Sequence, residues 1–168
     1  MLQIFDRLSQ LRFGELMEVY SESVAENAAE FYPDLSENEQ IIRAHQDFYA
    51  YLQQGFFNRK EDRYCIWTEN GKYICALRLE GYQDGLLLEA LETRPEYRKR
   101  GYAEKLIRAV QQLVGQQKLY SHISHKNEAS LAVHRKCGFK KILDHARYAD
   151  GSVNHYCGTY LYEAQSAG

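Results

Sequence analysis

The stretch that most restricts the fold runs from Arg63 to Thr93, RYCIWTENGKYICALRLEGYQDGLLLEALET. It is dense in aromatic and apolar residues at strand spacing and is punctuated by turn signals. Asn70-Gly71 is a strong two-residue hairpin turn, because both residues tolerate positive φ. Gln83-Asp84-Gly85 marks the next turn. The stretch therefore reads as three antiparallel strands. The third covers Leu86 to Thr93 and stops at Arg94-Pro95.

Helical spacing takes over on both sides. Leu2 to Phe5 forms a short opening strand. Leu16, Val19, Tyr20, Val24, Ala28 and Phe31 recur at three- and four-residue steps and predict one amphipathic helix, which Pro33 stops. Ser36 with Glu39 three residues on is a capping-box start for a second helix. That helix carries Ile41, Ile42, Phe48, Tyr49 and Leu52 and ends near Gly55. Beyond the strands, a helix from about Gly101 presents Ala103, Leu106, Ile107, Val110, Leu113 and Val114. Leu119 to Ser124 reads as a strand. The intervening helix makes it parallel to the Leu86 strand. A shorter helix spans Glu128 to Cys137, closed by Gly138. Strands near Phe139–Tyr148 and Val153–Tyr162 flank a turn at Asp150-Gly151. The order β-α-α-β-β-β-α-β-α-β-β predicts a mixed α/β fold in one domain over residues 1–168. The chain's 168 residues, 45% of them hydrophobic, are enough for one core.

Composition excludes several classes. The formal net charge is −2, where a protein coating nucleic acid or an anionic membrane is far more basic. The charge is uneven: Met1–Asp62 holds 12 acidic and 5 basic residues, and Arg63–Gly168 holds 11 and 16. Either the acidic half suits a cation, or it is a solvated helix pair. Cys65, Cys75, Cys137 and Cys157 form no CxxC pair, so no zinc site is expected. No signal-peptide run and no membrane-length apolar stretch is present. With free thiols, these features predict a cytoplasmic protein.

Two motifs carry the chemistry. Arg98-Lys99-Arg100-Gly101-Tyr102-Ala103 lies between a strand end and a helix start. The unpaired N–H groups and positive end of a helix dipole suit a phosphate there. Gly101, without a Cβ, permits close backbone approach, and Ala103 is small. A basic turn that only caps a helix would read the same way. The run lacks both the P-loop and the G-x-G-x-x-G pattern. The second motif is NEASLAVHRKCGFKK, Asn127 to Lys141.

Together the two resemble the GNAT superfamily of acetyl-CoA-dependent N-acetyltransferases. That family carries Gln/Arg-x-x-Gly-x-Gly/Ala after its fourth strand, matched by Arg98, Gly101 and Ala103. It later carries Asn-x-x-Ala/Ser-x-x-x-Tyr-x-x-x-Gly-Phe, matched by Asn127, Ser130, Gly138 and Phe139. The resemblance implies a single-domain fold with a mixed central sheet, two splayed parallel strands and flanking helices. Residues 1–62 would supply acceptor-side helices and residues 63–168 an acetyl-CoA-binding core.

It further implies that acetyl-CoA is the co-substrate. The pyrophosphate would lie on Arg98, Lys99, Arg100, Gly101, Tyr102 and Ala103. The pantetheine arm would add to the strand at Leu91, Glu92 and Thr93, and would meet Asn127 and Ser130. Arg135 and Lys136 would reach the nucleotide phosphates or stay solvated. The acceptor would be a small-molecule or peptide amine, cationic if the acidic helices frame it. A homodimer is compatible with the superfamily, and no nucleic acid or membrane partner is implied.

The reaction is direct attack by the amine on the thioester. It needs a base, an oxyanion donor and an acid for the thiolate. The Leu91 amide is the family's usual oxyanion donor. Glu89 is the expected base, with Glu92 second; Glu89 alternatively holds the substrate ammonium. Strand alternation places Glu89 and Leu91 on one face unless a bulge intervenes. His134 departs from the family by standing where its tyrosine acid falls. It either protonates the thiolate as an imidazolium, hydrogen-bonds the sulfur, or packs without a chemical role. His155 and Tyr156 are alternative donors. A binding protein without turnover is the competing reading, and nucleic-acid binding through Arg94–Arg108 a third.

Overall fold

The computed structural model describes residues 1–166. Three strands form the middle of the sheet, as the Arg63–Thr93 pattern predicts: β2 (Arg63–Glu69), β3 (Lys72–Tyr82) and β4 (Gly85–Thr93). Asn70 and Gly71 both take positive φ, 50° and 78°, which the tight turn requires. The opening strand β1 (Leu2–Phe5) pairs with β2.

The predicted first helix is broken in two, α1 (Phe13–Val19) and α2 (Ser21–Phe31). Tyr20 leaves helical geometry between them, at φ −93° and ψ 13°, and its side chain is buried against the sheet. Helix α3 (Glu37–Ala50) opens with the full capping box of Ser36 and Glu39 and ends in a wider turn over Tyr51–Gly55. The periodic stripes of these helices overreach at three positions, since Phe31, Ile42 and Tyr49 are exposed.

Helix α4 (Tyr102–Val114), strand β5 (Lys118–Ser124) and helix α5 (Glu128–Lys136) follow as expected. The last predicted strand pair is more complex. It forms β6 (Lys140–Leu143), a separate small hairpin of β7 (Ala146–Arg147) and β8 (Val153–Asn154), and β9 (Cys157–Tyr162).

The large sheet has the order β1-β2-β3-β4-β5-β9-β6. Among the described residues only β4 and β5 are parallel neighbours, and they pair from Gly85–Lys118 to Leu88–Ser121. Beyond that point each is held on its outer side, β4 by β3 as far as Thr93 and β5 by β9 as far as Ser124. The two strands therefore splay. Helices α4 and α5 cover one face, packing Leu106, Ile107 and Val110 on Leu77, Leu79 and Leu88. Helices α1 and α2 cover the other around Leu16, Val19, Tyr64 and Ile66.

The charge asymmetry is partly consumed inside the molecule. Arg94, buried after β4, pairs with Glu15 at 2.8 Å and donates to the Tyr73 carbonyl. Arg98 pairs with Glu22. The basic run after β4 thus ties the two halves together.

Candidate active site

A cleft of about 190 Å³ opens where β4 and β5 part. Residues Leu88–Leu91 form one wall and Ser121–Ser124 the other, with Asn127, Ser130 and His134 on the α5 side. Its shape depends on a bulge in β4. The register steps from Arg78–Glu89 to Ala76–Glu92, so Ala90 and Leu91 together oppose Leu77. Ala90 sits at φ 53°, a left-handed conformation that costs an alanine about 1–2 kcal/mol. The bulge breaks the strict alternation. Ala90 packs toward α1 and α2, while Leu91 packs with the α4–α5 core. Glu89 and Leu91 therefore do not share a face.

The bulge is held from behind. The Tyr20 hydroxyl donates to the Ala90 carbonyl at 2.6 Å, and the Tyr64 hydroxyl donates to Tyr20 at 2.9 Å. Burial pushes the Tyr20 phenol well above its usual value, so it stays a donor. Sequence reading placed Tyr20 only in a helix stripe. The break at Tyr20 is what turns its ring toward β4.

Helix α4 starts as a phosphate cradle requires. Lys99 and Gly101 are left-handed, at φ 61° and 82°, in the alternation that turns successive amides to one side. The first helical amide to reach a carbonyl is that of Lys105, on Gly101. A Cβ built on Gly101 would meet no atom within 4 Å, so the space above it is open. Lys99 and Arg100 are exposed. Tyr102 turns its hydroxyl to Glu69 at 2.7 Å and contributes main chain only, beside the half-buried Ala103. The Arg98 guanidinium donates to the Thr93 carbonyl and pairs with Glu22. Glu92 likewise points to α2. It accepts from Ser23 at 2.7 Å, and burial pushes its carboxyl up. Of these residues, Lys99–Ala103 come together at the cradle. Leu91 lines the cleft, whereas Glu92 and Thr93 lie past its lining, on the stretch of β4 paired with Ala76 and Cys75.

The α5 motif resolves into helix chemistry. The Asn127 side-chain oxygen caps the Ser130 amide at 3.1 Å, leaving its NH₂ without a bonding partner among the described residues. At the other end, Gly138 at φ 87° ends the helix, with the Phe139 amide on the His134 carbonyl and the Gly138 amide on Arg135. That closure seats Phe139 edge-on against His134, ring centroids 5.0 Å apart. Lys136 is paired with Glu104 at 2.8 Å.

His134 itself is 1% exposed. Its Nδ1 lies 2.8 Å from the Ser130 carbonyl and 3.2 Å from the Ser130 hydroxyl. A carbonyl can only accept, so Nδ1 carries the hydrogen and Nε2 accepts from the Ser121 hydroxyl at 3.2 Å. Burial lowers the pKa. Both ring nitrogens are engaged and burial disfavours the imidazolium, one of the three readings open for His134. His155 and Tyr156 do not line the cleft, and Tyr156 is 82% exposed.

On the opposite side of the sheet, Glu89 is half-buried and pairs with Arg78 at 3.3 Å. The Arg78 guanidinium lies over the rings of Tyr51, Phe56 and Tyr64. A larger depression, about 600 Å³, lies between Arg59, Glu61 and Tyr82 on one side and Arg147 and Tyr148 on the other. His122 stands between the two spaces. It lines the cleft, and its ring contacts Tyr82 and Tyr148. Sequence reading missed it, because nothing local marks a histidine in a strand.

A sheet split between two parallel strands, with a bulge on one and an open helix N-terminus beyond it, is the architecture of an acyl-CoA-dependent transferase. The sequence matches the Acetyltransferase (GNAT) family over residues 22–139, and the chain belongs to that family. No curated protein matches it. Solved structures share the fold. PaiA N-acetyltransferase from Thermoplasma acidophilum, in complex with coenzyme A, is 14% identical with a TM-score of 0.65, covering 98% of this chain and 99% of its own. The ribosomal-protein-S18-alanine N-acetyltransferase of Escherichia coli is 17% identical at 0.62, covering 100% and 97%. An N-acetyltransferase from Staphylococcus aureus Mu50 is 15% identical at 0.58, covering 97% and 98%.

Proposed function

We propose that the protein transfers the acetyl group of acetyl-CoA to a primary amine of a small molecule or peptide by direct attack. The observation that carries this reading is the cleft where β4 and β5 part, lined by Glu89, Leu91 and Asn127, together with the open backbone at Gly101 where α4 begins. The residues present fit the co-substrate: unpartnered amides and free space at Gly101 for a pyrophosphate, and splayed strand edges for an amide-bearing arm.

In this reading Leu91, at the bulge, donates its amide to the developing oxyanion. Asn127 uses its free NH₂ on the pantetheine arm. Glu89, fixed by Arg78, attracts and orients the substrate ammonium. His134 holds Ser121 and Ser130 at the α5 side of the cleft, and the Ser130 hydroxyl hydrogen, not needed by His134, is directed to the leaving sulfur. The sealed surroundings of His134 also favour a second reading, a coenzyme A-binding protein without turnover. Coenzyme A release measured across a broad amine panel separates the two. Amine-dependent release supports transfer. Acetyl-CoA binding with no release for any amine supports the second reading.

A further inference from the structure

We infer that His122 is the general base that deprotonates the acceptor ammonium, an assignment that rests on the acetyl transfer proposed above. Leu88 and Ser121 are the last paired residues of β4 and β5. Glu89 and His122 come next, so they flank the point where the strands separate, and both line the cleft. Ser121 bonds His134 and Ile123 packs in the α4–α5 core. Alternation therefore turns His122 to the opposite face, toward the large depression.

The hydrogen bonds determine which nitrogen is free. His122 Nε2 lies 3.3 Å from the Tyr82 oxygen. The single Tyr82 hydroxyl hydrogen is already donated to the Arg147 carbonyl at 2.6 Å. The Tyr82 oxygen can only accept from His122, so Nε2 carries the ring hydrogen. A neutral imidazole has one N–H, which leaves a lone pair on Nδ1, and no described residue bonds it. The ring is held edge-on by Tyr82 at 5.3 Å and by Tyr148 at 5.4 Å.

The groups around it do not favour a charge. Tyr82 on β3 and Tyr148 beside β7 present rings, and the β9 partner is Thr159. Arg147 approaches through its carbonyl, and Glu89 on β4 is engaged by Arg78. Partial burial lowers the His122 pKa from its usual value of 6.5. His122 is therefore a neutral, oriented base at pH 7.

The step balances as follows. The Nδ1 lone pair takes one proton from R–NH₃⁺, giving an imidazolium that later releases it to solvent. The freed amine lone pair forms the C–N bond at the thioester carbonyl carbon, and the C–S bond breaks with its electron pair on sulfur. The second proton lost by the nitrogen ends on that thiolate.

The test is the pH profile of kcat/KM for any accepted amine, with wild type and His122→Gln. Near pH 7 the variant should lose about 10²–10⁴-fold. The loss should shrink as pH approaches the amine's own pKa, ~10 for a lysine-like amine, because the substrate then arrives neutral. Acetyl-CoA affinity should be unchanged. A pH-independent loss, or none, overturns the assignment. Should His122→Gln not fold, Tyr82→Phe removes the acceptor of the Nε2 hydrogen and should give a smaller loss at pH 7 that again vanishes at high pH; an unchanged profile overturns the assignment. Nitrogen-15 NMR of the wild type should show the Nε2–H tautomer with a pKa below 6.5; an Nδ1–H tautomer overturns it independently of activity. A wild type inactive toward every amine refutes the transfer itself, whereas an active wild type beside an unimpaired His122→Gln refutes only the base.

Discussion

Replacing Tyr20 with phenylalanine isolates the device that shapes the cleft. The substitution keeps the ring and removes one oxygen. That oxygen donates to the Ala90 carbonyl and accepts from Tyr64. Both partners lie in a buried setting, and one orphaned buried polar group costs about 1–3 kcal/mol. Arg78 lies beside Tyr64 but a guanidinium only donates, so the Tyr64 O–H is orphaned along with the Ala90 carbonyl, each at about the low end of that range. We expect a loss of about 2 kcal/mol, or roughly 4–8 °C in Tm for a domain of this size. Part of that cost is recovered if Ala90 relaxes from φ 53°, which straightens β4 and withdraws the Leu91 amide from the cleft. Loss of the proposed oxyanion donor would cost about 10²–10³-fold in kcat. Tyr64→Phe is the control, because it removes the bond to Tyr20 while leaving Tyr20 on Ala90. It should lower stability without lowering turnover. The measurements are urea melts and steady-state kinetics well below Tm. A Tyr20→Phe enzyme with wild-type kcat, or a Tyr64→Phe enzyme equally impaired, refutes the reasoning.

Gly85→Ala should destabilise by at least about 1–3 kcal/mol, since its Cβ would collide with the Lys118 carbonyl and lie 2.9 Å from Lys118 Cβ; a Tm equal to wild type would contradict this. Gly101→Val should leave the fold near wild type apart from about 1–2 kcal/mol of left-handed strain, yet abolish acetyl-CoA binding by calorimetry; intact binding would contradict the cradle. His134→Phe should cost about 1–3 kcal/mol by orphaning Ser121, and should slow turnover with acetyl-CoA affinity kept; unchanged stability and turnover would contradict both roles. The lowered pKa values of His122 and His134 mean the unfolded chain binds more protons below 6.5. Their contribution is complete above that pH and falls as pH drops through the folded-state values, so Tm should decline as pH falls below about 6.5, less steeply in His134→Phe.

Much of the architecture was legible without tertiary information. Asn70-Gly71, the Ser36–Glu39 box, Gly101 and Gly138 are local signals. Each acts on backbone within a few residues, so each could be read in place. The same holds for the two motifs, whose glycines and Asn127 act at helix ends. The single long first helix was misread because Tyr20 fits the stripe, while its hydroxyl answers to Ala90, seventy residues away. The order of the last strands was not legible, because β9 inserts between β5 and β6, a pairing that no nearby residue announces.

By itself, then, the sequence determined the elements, the parallel pair and the cradle, because hydrophobic period, turn chemistry and helix-end chemistry are short-range. Only the tertiary structure decided which polar groups are engaged and which stay free. It sealed His134 as a neutral ring between two serines and freed Nδ1 of His122 through Tyr82 and Arg147. It also paired Arg94 with Glu15 and Arg98 with Glu22 across the two halves of the chain. Protonation and pairing depend on burial and on partners brought from distant strands, and those distances exist only once the chain has folded.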